Sequence, residues 1–171
     1  VAQLRRVGSM GGVIVRGVTF AAGAPRVLMA GPCAVEGEEM IHAIAAAVAA
    51  SGGAFLRGGA YKPRTSPRDF QGIGAPALAW MRAAADAHGL GVVTEVLSEA
   101  DVDLVAGAAD IVQIGSRNAQ NFALLRAVGA TGRPVLLKRG AAMTLREWRG
   151  AVEHRLHEVA HQGLRGGLDA R

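Results

Sequence analysis

Five short apolar, β-branched runs alternate with five helical patterns along this chain, and no other feature restricts its fold so tightly. The runs begin near Val27 (VLMAG), Ala54 (AFLRG), Val92 (VVTEV), Asp110 (DIVQIG) and Val135 (VLLKRG). Helical patterns follow each of them, at about Glu38 to Ala50, Ala77 to His88, Glu99 to Ala106, Asn121 to Val128 and Leu145 to His161. The first of these has acids at its start and ends at Gly52-Gly53, as the helix dipole and the left-handed C-terminal cap prefer. The last is opened by Thr144 with Glu147 three residues on, a capping box. Strand and helix in strict alternation predict right-handed βαβ crossovers and a parallel sheet. Ahead of the first unit, "GGVIVRGVTF" (Gly11 to Phe20) reads as a short hairpin, and no linker marks a second domain. The expected organisation is an extension over 1–26 that holds the hairpin, an α/β domain over 27–163 and a tail over 164–171. A closed (β/α) barrel has eight units and typically about 250 residues, so length alone favours an open, doubly wound sheet of the flavodoxin type.

Composition narrows the partners. The net charge is +5, which suits nucleic acid, an anionic membrane or small anions. A reader of single-stranded nucleic acid interleaves aromatics with its cations for base stacking, and this chain has only four Phe, two Trp and one Tyr. No nucleic-acid partner is therefore expected. No apolar run approaches the roughly 20 residues that cross a bilayer, and the opening "VAQLRRVGSMGG" has no apolar core of a secretion signal. The expected location is the cytoplasm, with no membrane partner. The single cysteine, Cys33, excludes an internal disulfide.

Ligands of parallel α/β proteins bind at the carboxyl ends of the strands. All five predicted ends are polar. They read Gly31-Pro32-Cys33; Arg57, followed by Lys62, Arg64, Thr65 and Ser66; Thr94-Glu95; Gly115-Ser116-Arg117-Asn118; and Lys138-Arg139-Gly140. Along a flat sheet, at about 4.8 Å per strand, these groups would spread over about 19 Å. Only a curled sheet brings them together. Arg57, Lys62, Arg117 and Lys138 would then repel one another unless an anion sat among them, and charge-assisted hydrogen bonds make a phosphate or carboxylate a strong partner. Arg64, Thr65 and Ser66 read as a second, outer phosphate cradle. Taken singly, each cation is equally a solvated surface charge.

The segments "AGPCAVE" (30–36), "FLRGGAYKPRTSP" (55–67), "VVTEV" (92–96), "QIGSRNAQNF" (113–122) and "VLLKRG" (135–140) occur in an order and at intervals that closely resemble the 3-deoxy-D-arabino-heptulosonate 7-phosphate (DAHP) synthases of the shorter bacterial subtype. The resemblance spans about Val13 to Gly163. It implies a TIM-type (β/α) barrel, here partial, with five β/α units and a short N-terminal hairpin. It also implies an aldol-type condensation of phosphoenolpyruvate with erythrose 4-phosphate that releases phosphate, the first step of the shikimate pathway. Carried over residue by residue, Arg57, Lys62, Arg117 and Lys138 hold phosphoenolpyruvate, with a backbone contact from Ser116. Glu95 orients the attacking water, Lys62 lies between the subsites and can move a proton, and Arg64, Thr65 and Ser66 bind the aldehyde's phosphate. The sister 3-deoxy-D-manno-octulosonate 8-phosphate synthases share the fold, but their second-strand loop carries Ala-Asn-Arg-Ser where this chain has Lys62-Pro63-Arg64-Thr65.

The family also implies a divalent metal of the Mn, Fe, Co or Zn type, held by Cys, His, Glu and Asp. Of those four only Cys33 has a counterpart, because strands six to eight have none in this chain. His154, His157 and His161 share a helical face, yet that helix is expected outside the barrel, away from the strand ends. The pattern leaves alternatives: a synthase active as a homo-oligomer or with a completing partner chain, or a catalytically silent relative that binds phosphoenolpyruvate-like anions or regulates an intact enzyme.

Overall fold

The computed structural model describes residues 6–7 and 12–153; the three histidines at 154, 157 and 161 and the tail at 164–171 lie outside the described residues. Two sheets form. The first is antiparallel, with β1 (Arg6–Val7), β2 (Gly12–Val15) and β3 (Val18–Phe20) in that order. The second is parallel and holds β4 (Met29–Ala30), β5 (Phe55–Arg57), β6 (Gly91–Val96), β7 (Ile111–Ile114) and β8 (Val135–Leu137). Its spatial order is β4-β5-β6-β7-β8, the order of the sequence. That order corrects the reading from length alone: a doubly wound sheet reverses direction at a switch point, whereas right-handed crossovers in unbroken sequence put every helix on one face. The result is the wall of a partial barrel.

Each helix is built by local signals. Helix α1 (Glu38–Ala50) carries Glu38 and Glu39 in its first turn and buries Ile41, Ala45 and Val48 at helical spacing. The amide of Gly53 closes it on the carbonyl of Val48 at 2.9 Å. Helix α2 (Ala75–Ala87) has a proline in its first turn and buries Ala77, Leu78, Met81, Ala84 and Ala85. A 3₁₀ turn (Glu99–Asp101) leads into α3 (Val102–Ala108), and Asn121 caps α4 (Phe122–Ala130) by accepting the Leu124 amide at 3.2 Å. Residues 145–153 are helical and form α5. The predicted capping box opens it, with the Glu147 amide donating to Thr144 Oγ1 at 3.2 Å and the Thr144 amide to Glu147 Oε2 at 2.7 Å.

The strands bury both faces, with different chemistry on each. Toward the helices, Leu56, Val92, Val96, Val112 and Ile114 join the helix side chains in the main core. Toward the inside, Phe55, Val93 and Ile111 form a second, smaller core with Val15. The hairpin β2–β3 supplies Val15, Val18 and Phe20 to that inner core, so it plugs the amino-terminal end of the sheet. Its turn, Arg16-Gly17, has φ of 50° and 80°, the doubly positive pattern of a tight hairpin turn. The predicted hairpin gains a third strand, Arg6–Val7, that its sequence did not announce.

Candidate active site

Above the apolar floor the inner face turns polar. Cross-strand register sets this: Arg57 lies beside Val93, Glu95 beside Gln113, and Gln113 beside Leu136. Strand neighbours share a face, so one residue pair further toward the carboxyl ends replaces Phe55, Val93 and Ile111 by Arg57, Glu95 and Gln113. An open cleft of about 430 Å³ sits there, with Cys33, Arg57, Lys62, Arg64, Glu95, Ser116, Arg117 and Lys138 in its wall. Every strand of the parallel sheet contributes at its carboxyl end, which only a curled sheet allows. Thr65 and Ser66 are not in the wall. Ser66 instead accepts the Arg68 amide at 3.2 Å within its own loop.

The cations are held by backbone oxygens rather than by acids. Lys62, only 8 % exposed, donates to the Cys33 carbonyl at 2.7 Å and lies 3.1 Å from Cys33 Sγ. Arg57 Nη1 donates to the Pro32 carbonyl at 3.4 Å, and Arg117 Nη1 to the Pro63 carbonyl at 2.7 Å. Arg64 Nε donates to the Phe70 carbonyl at 3.3 Å. These contacts orient the side chains and leave their charge uncancelled. Gly31 makes the Cys33 turn possible, since at φ 149° a Cβ would stand 1.9 Å from the Arg57 carbonyl oxygen. The thiol of Cys33 is exposed. Its hydrogen bond to Lys62 and the charge of that ammonium hold it below the ordinary thiol range, against slight desolvation, with Arg57 and Arg64 adding to the effect.

Glu95 is the one acid in the wall and is 8 % exposed. Its Oε2 accepts the Gln113 side-chain amide at 2.8 Å, and a Cβ on Gly115 would stand 1.9 Å from its Oε1. A carboxylate fixed this way, facing a cluster of cations, can orient a water or a hydroxyl beside a bound anion.

Residues 12–167 match the model of the DAHP synthetase I family. The chain belongs to the DAHP synthetase I family. Over 127 residues it is 53 % identical to a Thermotoga maritima phospho-2-dehydro-3-deoxyheptonate aldolase, a match that covers 74 % of this chain and 38 % of that protein. The crystal structure of the phospho-2-dehydro-3-deoxyheptonate aldolase (DAHP synthase) from the same organism superposes with a TM-score of 0.77 at 43 % identity, covering 91 % of this chain and 42 % of that one. A 2-dehydro-3-deoxyphosphooctonate aldolase of Nitratidesulfovibrio vulgaris is 35 % identical over 137 residues, 76 % of this chain and 50 % of that protein. This DAHP synthetase I chain thus spans half or less of the length of these relatives.

Among the described residues the donors for a divalent metal do not fit. Among the described residues no group of three His, Cys, Asp or Glu could hold one. Cys33 is a single donor where such an ion takes three protein ligands or more, and its sulfur already faces an ammonium. Two residues that shape the site in this family member were given no role in the sequence reading, Gln113 as the start of a quoted segment and Gly115 as part of a strand end. The available signal was a glutamine in an otherwise apolar buried run, IVQI, where burial demands a partner.

Proposed function

We propose that this chain forms the phosphoenolpyruvate-binding part of a DAHP synthase, which condenses phosphoenolpyruvate with erythrose 4-phosphate and water to give the seven-carbon 2-keto sugar acid phosphate and inorganic phosphate. The observation that carries the reading is the convergence of Arg57, Lys62, Arg117 and Lys138, from three strand ends and one loop, on a single cleft. Two polyanions repel each other, so a cationic wall that neutralises both before the carbon–carbon bond forms works by positioning and electrostatics. Arg57, Lys62, Arg117 and Lys138 would take the carboxylate and phosphate of phosphoenolpyruvate, and the Ser116 backbone would add a contact. Glu95 would orient the water that adds to C2 while C3 attacks the aldehyde. Lys62, between the subsites, would pass a proton. Arg64 would meet the aldehyde's phosphate from the cleft wall; for Thr65 and Ser66 the same role rests on the loop sequence.

The remaining parts of such a site would come from another β/α segment, whether of the same polypeptide, a completing partner chain or a second copy. Support comes from the open side of the sheet. Leu136 and Val13 are exposed there and help line an apolar cavity of about 220 Å³ between the hairpin, β4, β7 and β8. Among the described residues, strands β4 and β8 end the sheet with unpaired backbone edges, which proteins ordinarily cover.

Calorimetric titration with phosphoenolpyruvate tests the core of the reading. Binding is expected, weakened at least tenfold by Lys138→Ala and unchanged by Arg126→Ala, an exposed cation on α4. Equal losses in both variants would reduce the effect to net charge and end the reading. Release of inorganic phosphate that requires both substrates would extend it from binding to turnover.

A further inference from the structure

Glu95 shares its cleft with Arg57, Lys62, Arg64, Arg117 and Lys138, yet pairs with none of them. Left to rotate, a carboxylate among five cations would swing onto the nearest and occupy the seat meant for an incoming anion. Two neighbours stop it. Gln113 stands directly across the strand pair from Glu95, is 1 % exposed, and donates its amide to Oε2 at 2.8 Å. The amide must present nitrogen, since its oxygen against a carboxylate oxygen would place two acceptors in contact. On the other side the backbone of Gly115 lies so close to Oε1 that any Cβ there would overlap it.

We infer that Gln113 is a positioning residue that, with Gly115, clamps the Glu95 carboxylate away from the cations and so keeps the anion seat open. A neutral donor is the residue type this task needs. It satisfies a buried carboxylate oxygen without cancelling its charge, whereas an apolar side chain would leave that oxygen unpaired and an acid would repel it. The clamp rests on the proposal that the cleft receives phosphoenolpyruvate, but it holds for any anion that the same cations bind.

The test is a double-mutant cycle read by calorimetry, with phosphoenolpyruvate and, separately, inorganic phosphate titrated into folded wild type, Gln113→Leu, Gly115→Ala, Glu95→Gln and Gln113→Leu/Glu95→Gln. Gln113→Leu should weaken both anions by roughly tenfold, and Gly115→Ala should do the same from the opposite side of the carboxylate. Adding Glu95→Gln to Gln113→Leu should restore the affinity, because an amide cannot neutralise the cations. A double variant as weak as Gln113→Leu would show lost packing and overturn the clamp, as would wild-type affinity in Gln113→Leu. Binding of phosphate without phosphoenolpyruvate would sink the proposed substrate and leave the cycle readable with phosphate. Binding of neither anion to wild type would overturn both.

Discussion

The ammonium of Lys62 lies 3.1 Å from the sulfur of Cys33 and donates a 2.7 Å hydrogen bond to the carbonyl of the same residue, across 29 positions of sequence. The two come from neighbouring strand ends, and their contact ties the loop after β5 to the turn after β4. Gly59 permits it, since a Cβ there would stand 2.8 Å from the Cys33 carbonyl oxygen and 3.0 Å from Lys62 Cδ.

That contact predicts a reactive thiol. The Lys62 hydrogen bond and charge lower the Cys33 pKa from its ordinary value of 9.0, so more thiolate is present below that pH than in a free cysteine. Alkylation by iodoacetamide should outpace that of an unstructured cysteine peptide at neutral pH. In Lys62→Met the rate should fall toward the peptide's. An unchanged rate in that variant would remove the electrostatic account.

Gly31 should tolerate no side chain. Gly31→Ala would have to open the approach of β4 to the Arg57 carbonyl, at a cost of about 2–4 kcal/mol in urea-induced unfolding. Gly132→Ala, also at positive φ (68°) but with open space around it, should cost about 1 kcal/mol, so the difference isolates the close approach from the backbone strain.

Arg82 is expected to govern stability and leave the cleft alone. Its guanidinium reaches from α2 to Asp110 Oδ2 at 2.8 Å and to the Leu90 carbonyl at 3.2 Å, and Asp110 also accepts the Val92 amide at 2.8 Å. Arg16 of the hairpin turn lies 3.7 Å from the other oxygen of Asp110. Arg82→Ala leaves the mostly buried Asp110 carboxylate to the Val92 amide and the more distant Arg16, and should cost about 2–4 kcal/mol, with little recovery in Arg82→Lys, which cannot reproduce the fork. Anion affinity measured on the folded fraction should not change.

The capping box should show itself in pH dependence. Thr144, first through its backbone amide and then through its hydroxyl, holds the Glu147 carboxyl below its ordinary value of 4.5. A depressed carboxyl stabilises the fold fully above the unfolded value and loses that contribution as pH falls through the folded one. The stability gap between wild type and Glu147→Gln, from urea titrations across acid pH, should therefore be present at neutral pH and close below the folded value. Thr144→Ala should cost about 1 kcal/mol at neutral pH.

Much of the fold was legible because its signals are local. Helix α1 begins and ends where the acids at Glu38 and Glu39 and the glycines at 52 and 53 place it. Helices α2, α3 and α4 and the strands begin or end within a few residues of their predicted limits, as terminal turns do, and Met29–Ala30 kept only part of its apolar run. Helix α5 begins at Leu145 as predicted, with its expected end outside the described residues. Length pointed the other way on architecture, toward an open sheet, while the charged strand ends and the motifs pointed to a barrel. The cations and Glu95 could be found as the residues that follow apolar runs. Gln113 and Gly115 stood in the same segments without a role, because their importance lies in what stands opposite them.

The order of residues along the chain decided which segments are strands, which are helices and which positions carry charge, since periodicity, caps and turn chemistry act within a few residues. The three-dimensional fold alone decided that five strand ends close around one cleft, that Glu95 meets an amide and a glycine in place of a cation, and that Lys62 finds Cys33. Those relationships depend on sheet order, register and curvature, which are fixed by contacts between residues far apart in sequence.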